Sequence, residues 1–467
     1  MSKDDGNYLR QRSVKTRFSI AWRRILQAGL LCAALATLPW IRARLDITAY
    51  GSRRNHDLEW TPIVHGYQQS TPRAQYERCS NVVASSVQSF EYNITAENTA
   101  AQQWRFLDSI PLDARRNLRG RVHVRRGNPL HASDIDVQVV IRSTHENDIK
   151  NVILSKSELQ LGVEYESTDQ EDMCTDMEVL VSFRPWPERT LNLFQLESNF
   201  LDLWVEGSLE WEINNLLTHT SHGDTYYSGA RFQDPLITHN VSSTSLTGEI
   251  FGYYLADGNL KVQNEIGSTW VFLLPRYQGP LVTPESISVS SLSGKIHVEF
   301  TTMYWPMQPL NHTTDIHTTT GEIWAAVPHG SLTNVSNIRG NVKAFVVPFG
   351  AANQDDSSQL HTSSDQGRTF VSLYNAPLES LEGYYDPLLK LKSKHIVKEG
   401  ALKLNYPYSW YGDLEARILH GPLKFDSSAL QDIEKGDGFV KAKRGREGES
   451  VMEAYIDTGE LAVLLGL

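Results

Sequence analysis

Val241–Gly252 reads VSSTSLTGEIFG, and the same outline returns in ISVSSLSGKIHV, Ile287–Val298, and in IHTTTGEIWA, Ile316–Ala325. A Ser/Thr-rich lead runs into a glycine, followed by a polar residue and an apolar–polar alternation. Looser copies of the second half begin at Gly120 (GRVHV), Gly207 (GSLEW), Gly340 (GNVKA), Gly421 (GPLKF) and Gly459 (GELAV, preceded by YIDT). Glycine accepts positive φ, so the chain can turn sharply between two extended arms. Ile, Val and Thr favour extended backbone, and alternation puts one face inward. One such strand cannot bury its face alone, whereas stacked copies can. Gly294, Gly321 and Gly340 lie 27 and 19 residues apart, near one turn of a stack, and the Gly207–Gly248 and Gly248–Gly294 intervals suit two turns. The expected class is all-β, a β-solenoid-like stack of repeats. The alternative is one or two β-sandwiches in which the glycines punctuate ordinary hairpins.

The Ser/Thr lead, the glycine, the Glu or Lys after it and the alternating strand resemble an adhesin-like domain of unknown function found in bacteria and fungi. The resemblance is clearest over Val241–Pro348, with echoes at Gly421 and Gly459. It implies a β-solenoid-like fold and a non-enzymatic surface role, and it brings no catalytic residue and no cofactor.

Period-two alternation extends beyond this stretch. Ile135, Val137, Val139 and Ile141 share one face of Asp134–Arg142, with Asp134, Asp136, Gln138 and Arg142 on the other. Helical patterns are scarce, with room for one short helix in Leu378–Lys394, broken by Pro387. Residues 351–368 (AANQDDSSQLHTSSDQGR) are polar and of low complexity, the composition of a long mobile loop. Residues 434–450 have the composition of an exposed charged turn.

Hydrophobic residues make up 40% of the 467, enough to bury a sizeable core, and the net charge of −11 argues against a nucleic-acid binder. That charge is divided unevenly. Residues 1–45 carry 9 basic and 2 acidic groups, which leaves 35 basic and 53 acidic groups beyond. Within the basic part lies the one long apolar run, ILQAGLLCAALATLPWI, Ile25–Ile41. As a helix, its 17 residues span about 26 Å, enough for a thin bilayer. The Lys/Arg excess before it holds the N-terminus in the cytosol. The expected organisation is a basic cytosolic tail (1–24), a transmembrane signal anchor (25–41) and a stalk (42–78). An N-terminal β region (79–200) and a β-repeat domain (201–467) follow, both lumenal or extracellular. The alternative is a signal peptide cleaved after Ala36, because Ala34-Leu35-Ala36 fits a cleavage site. Basic tail, single span and β-rich body together resemble fungal membrane proteins of unknown function.

Sequons at Asn93, Asn240, Asn311 and Asn334 all follow the apolar run and are the expected glycosylation sites. Cys79 and Cys174 are the only cysteines beyond it, and an oxidising lumen would let them pair.

Candidate chemistry is sparse. Asp134-Ile-Asp136 is a D-x-D pair of the kind that holds a divalent metal and nucleotide-sugar phosphates, which makes Asp134 and Asp136 the candidates for a metal. Both are expected on the solvated face of a strand. His219, His222 and Asp224 lie close in sequence in a turn-like setting. HExxH, GxSxG, P-loop and GxGxxG signatures are absent. Among many aromatics, Trp324 is the candidate for surface contact, because Ile323 and Ala325 take the opposite face. The leading reading is a membrane-anchored binding module for glycan or protein, with no cofactor and no nucleic-acid partner. The alternatives are a lumenal metal-dependent carbohydrate enzyme and a structural scaffold of the secretory pathway.

Overall fold

The computed structural model describes residues 79–466, apart from 95–101, 112–117, 167–172, 188, 208, 229–235, 256–257, 275–283, 301–310, 351–355, 376–385, 428–429 and 446–448. The expected tail, anchor and stalk (1–78), with Ala36, lie outside the described residues. Among those described, no helix is long and apolar enough to cross a membrane.

The body is a stack of two-armed rungs. In the rung turning at Gly321, Thr313–Thr320 forms arm A and Ile323–His329 forms arm B. Arm A pairs in parallel with Pro284–Ser293 of the preceding rung and Leu332–Arg339 of the next. Arm B pairs in parallel with Ile296–Phe300 and Val342–Pro348. Each strand thus skips its neighbour in sequence to pair with the equivalent arm one rung away. That is β-solenoid pairing, and a hairpin sandwich does not produce it. Sheet A and sheet B close on one core, where Thr218 of an A arm meets the Tyr227 hydroxyl of a B arm at 2.5 Å. Ile316, Ile323, Ala325 and Val327 of the Gly321 rung are almost wholly buried.

Between the arms runs a ladder of glycines. Gly248, Gly267, Gly294, Gly321, Gly340, Gly367, Gly400, Gly459 and Gly421 stack in that order, all at φ between 132° and 156°. At Gly321 a Cβ would meet the Gly294 carbonyl closer than 3.0 Å. Positive φ and this close approach together demand glycine. Gly267, Gly367 and Gly400 belong to the ladder although the motif missed them, and Gly223 lies beneath Gly248. Gly120 does not belong to it, since it sits inside the strand Leu118–Arg126, and Gly207 follows Asp202–Glu206 at the end of a B arm. Successive glycines from Gly248 to Gly400 are 19, 27, 27, 19, 27 and 33 residues apart. The arms are nearly constant, so the extra residues fall in the links from each B arm to the next A arm, at the edge away from the ladder.

Several expectations are corrected. Within 351–368, residues from Gln359 onward form a 15-residue strand, Gln359–Leu373, which carries Gly367. Leu360, Thr362 and Ser364 face inward there, so the polar stretch is part of a rung in which two of these three core positions are hydroxyls. The described part of Leu378–Lys394 is a turn leading into the strand Lys392–Tyr406, not a helix. Within 434–450, Phe439–Arg444 is a strand, and Arg444 is buried against the rings of Tyr408 and Tyr411. Tyr76–Leu467 forms one compact unit, and pairing continues across the expected 200/201 boundary, from Leu193–Ser198 to Trp211–Thr220.

At the N-terminal end, Leu118–Arg126 and Thr175–Phe183 extend sheet B in parallel, and Ile135–Ser143 and Ala84–Tyr92 then add antiparallel strands. The Cys79–Cys174 disulfide, with Cα atoms 5.7 Å apart, fastens this end.

Candidate functional site

Parallel, in-register strands about 4.8 Å apart place equivalent side chains one above another. On the outer face of sheet B, the third residue after each ladder glycine falls in one column. Tyr226, Phe251, Trp270, His297 and Trp324 are successive register partners. Trp204 and His123 continue the column toward the N-terminal end, and Lys343 and Phe370 toward the other. Over these nine strands the column spans roughly 40 Å.

The rings pack on each other. His297 stacks on Trp324 at 4.3 Å and 6°, and on Trp270 at 4.7 Å and 29°. Tyr253 stacks on Phe272 at 5.0 Å two residues further along the arms. Phe345 bridges Trp324 and Phe370 at 5.5 and 5.7 Å. Lys295 lies 5.5 Å over the Trp270 ring. Each pair contributes about 0.5–1.5 kcal/mol beyond area burial. Tyr226 and His297 are buried within the column, and the half-buried Phe251, Trp270, Trp324 and Phe370 supply its outward surface. The expected surface candidate, Trp324, points outward while Ile323 is buried, and it stands in this column rather than alone. Alternation within one strand marks Trp324 as outward but does not reveal the column. The signal that finds it is the Gly+3 position, legible only once Gly267 and Gly367 are recognised as ladder members.

The same face ends in a cleft. Register carries the column from His123 to Leu180 and Gln138, and then to Ser89. A second row, Arg125–Ser182–Asp136–Glu91, runs beside it. The cleft has a volume of about 410 Å³, lined by both rows from Leu180 and Arg125 onward, with Phe90 and His131. Arg125 Nε donates to Ser182 Oγ at 3.3 Å, and Asp136 is held by Ser133 and His131. Apolar surface beside carboxylates, a guanidinium, an amide and hydroxyls suits a polyhydroxylated ligand.

The D-x-D pair is split by the fold. Asp134 is buried, not solvated as expected. It precedes the strand and accepts from Ile94 N at 2.8 Å and from Arg184, with Arg189 at 3.0 Å. Its oxygens are engaged by cations and an amide, while Asp136 alone faces the cleft. His219, His222 and Asp224 also diverge. His219 Nδ1 meets Thr244 Oγ1 at 2.8 Å, and His222 Nδ1 meets Thr247 Oγ1 at 2.7 Å. Asp224 accepts from the Glu249 amide at 2.7 Å. Among the described residues, no group of three or more His, Cys, Asp or Glu is placed to hold a metal.

Of the sequons, Asn93 and Asn311 are exposed outside the strands. Asn240 and Asn334 stand on outer faces of A arms, with Nδ2 donating to Asn215 Oδ1 at 3.2 Å and Asp315 Oδ1 at 2.7 Å.

No protein-family model matches the chain, and no curated protein matches it in sequence. Solved structures do match. A candidate adhesin from Bacteroides fragilis is similar at 8% identity, over 82% of this chain and 98% of its own, with a TM-score of 0.22. A candidate cell adhesion protein from Clostridium sporogenes is similar at 7% identity, over 82% and 99%, with a TM-score of 0.14. A candidate adhesin from Parabacteroides merdae is similar at 10% identity, over 63% and 97%, with a TM-score of 0.20. These likenesses are slight, and the β-solenoid assignment rests on the strand registers.

Proposed function

We propose that this chain is a non-enzymatic, adhesin-like binding protein whose sheet B face holds an extended polysaccharide, with the N-terminal cleft taking one sugar unit. The observation that carries this reading is the column of rings, one per strand from His123 to Trp324, spaced by about 4.8 Å along the stack. Rings packed on one another keep their geometry without a ligand, so binding orders few side chains. The test is retention of the full chain, in detergent, on insoluble β-glucan, chitin and mannan. Wild type is retained on one of these. Trp270→Ala with Trp324→Ala lowers the affinity at least tenfold at a temperature where circular dichroism shows the double variant, less stable by the lost ring contacts, still folded. Equal retention of the double variant, or no retention of wild type on any of the three, overturns the reading.

We propose further that residues 25–41 anchor the chain in a membrane of the secretory pathway or cell surface, with the body on the lumenal or extracellular side. The basic flank, the apolar run, the four sequons and the disulfide support this, since disulfides persist in oxidising compartments. Alkaline carbonate extraction of cell membranes tests the anchor, and glycosidase treatment tests the side. A released, unglycosylated chain contradicts both. A released, glycosylated chain beginning at Thr37 supports cleavage after Ala36 instead.

A further inference from the structure

The C-terminal end of the stack is assembled out of chain order. After the Gly400 rung (Lys392–Tyr406) the chain forms the Gly421 rung, Gly412–His420 and Leu423–Ser427, and then the hairpin strands Leu430–Gly436 and Phe439–Arg444. Only then does it return as Ser450–Leu465, which carries Gly459. This last strand lies between the two rungs made before it. It pairs in parallel with Lys392–Tyr406 on one edge, from Lys392↔Val451 to Tyr406↔Leu465. On the other edge it pairs in parallel with Gly412–His420 and Leu423–Ser427. Among the described residues, the terminal rung pairs with the rest of the stack through Ser450–Leu465 alone. Inside, Met452, Ala454, Ile456, Leu461, Val463 and Leu465 are all buried.

Without Ser450–Leu465, the 15-residue edge at Lys392–Tyr406 and the facing edge of the terminal rung would both lack a partner strand. A long, unpaired edge is a template for any matching strand. The matching strand is Ser450–Leu465, which follows both of its neighbours in chain order. The same contacts form whichever copy supplies it, so exchange between copies costs little beyond association. Copies held on one surface would meet at high effective concentration.

We propose that the place between these two rungs is a strand-acceptor site, and that its partner is Ser450–Leu465 of a second copy, so that copies join by exchange of this strand. The proposal does not depend on the polysaccharide reading. Lys394 and Glu453 are register partners across the junction, half exposed and 3.7 Å apart as an ion pair. The test uses full chains carrying Lys394→Cys or Glu453→Cys, with Cys32 replaced by Ala in both so that the anchor run contributes no thiol. The two are unfolded together, refolded as a mixture, and treated with a short thiol cross-linker. The doubly substituted single chain serves as control, and it must cross-link within itself and run as a monomer. With that control in place, covalent dimers in the mixture, rising with concentration and absent when either variant is refolded alone, support exchange. A mixture that yields only monomers at every concentration overturns the proposal. So do dimers that persist when Glu453→Cys also carries Gly459→Val, which the ladder cannot accept.

Discussion

Replacing Gly321 by valine tests the ladder where it is most regular. Gly321 has φ 148°, and a Cβ there would approach the Gly294 carbonyl closer than 3.0 Å. Backbone held in that region costs a branched residue about 1–3 kcal/mol. The clash also forces neighbouring rungs apart. That loosens the corner hydrogen bonds Gly294 N to Thr320 O at 3.0 Å and Gly321 N to Arg339 O at 2.9 Å, about 1 kcal/mol each. The expected loss is therefore roughly 3–5 kcal/mol. Urea unfolding followed by circular dichroism measures it, with hydrogen exchange to locate it in the arms from Pro284 to Pro348. Ser290→Val, on the outer face of an A arm in the adjacent rung, is the control, expected within about 0.5 kcal/mol of wild type. A Gly321→Val chain that unfolds at the wild-type midpoint refutes the ladder argument.

Other outcomes follow from buried groups. Burial lowers His312 to about 4, and His329 and His395 to about 3. Their stabilising share is whole above the unfolded value near 6.5 and is lost as pH falls toward those values, by up to about 3 kcal/mol for His312. Unfolding free energy measured from pH 7 to pH 4 should fall accordingly, and His312→Gln should flatten the slope. Asp176, which burial raises to about 7, works in the opposite direction, so Asp176→Asn should steepen the slope. Cys79→Ser opens a link between residues 95 apart in sequence and should cost about 2–4 kcal/mol, matched by wild type under reductant in a thermal melt. Asp134→Ala leaves Arg184 and Arg189 without their carboxylate and should cost about 3–5 kcal/mol, while manganese leaves the wild-type melting temperature unchanged.

The class of fold was legible because Gly-x-Ile alternation after Ser/Thr runs marks a turn between two arms, and because Gly294, Gly321 and Gly340 are separated by whole rungs. Gly267 was hidden by a lead, KVQNEIG, with no Ser/Thr run. Gly367 was hidden by HTSSDQG, in which Thr362 and Ser364 take core positions and imitate a loop. Arg444 had the composition of a charged turn, yet aromatic rings receive its guanidinium in the interior. Asp134 seemed to belong to the polar face of its strand, but it lies one residue before Ile135, where the chain turns inward and two arginines converge. Trp324 was identifiable as outward from alternation alone. Its place in a column was not, because parallel pairing joins residues 27 or 19 positions apart, and the sequence displays no such neighbours. The insertion of Ser450–Leu465 between earlier rungs lay beyond any local pattern.

Electron–electron distances along the outer face of sheet A test the stacking most directly. Thr244, Gln263, Ser290, His317, Ser336 and Ser363 are successive register partners. Nitroxide pairs fixed at Thr244 and placed in turn at His317, Ser336 and Ser363 should lie three, four and five rungs apart. Their distances should be about 14, 19 and 24 Å, rising by one strand spacing per rung whether the sequence step is 19 or 27 residues. Distances that follow sequence separation, or fail to rise steadily, would contradict the solenoid and the aromatic column with it.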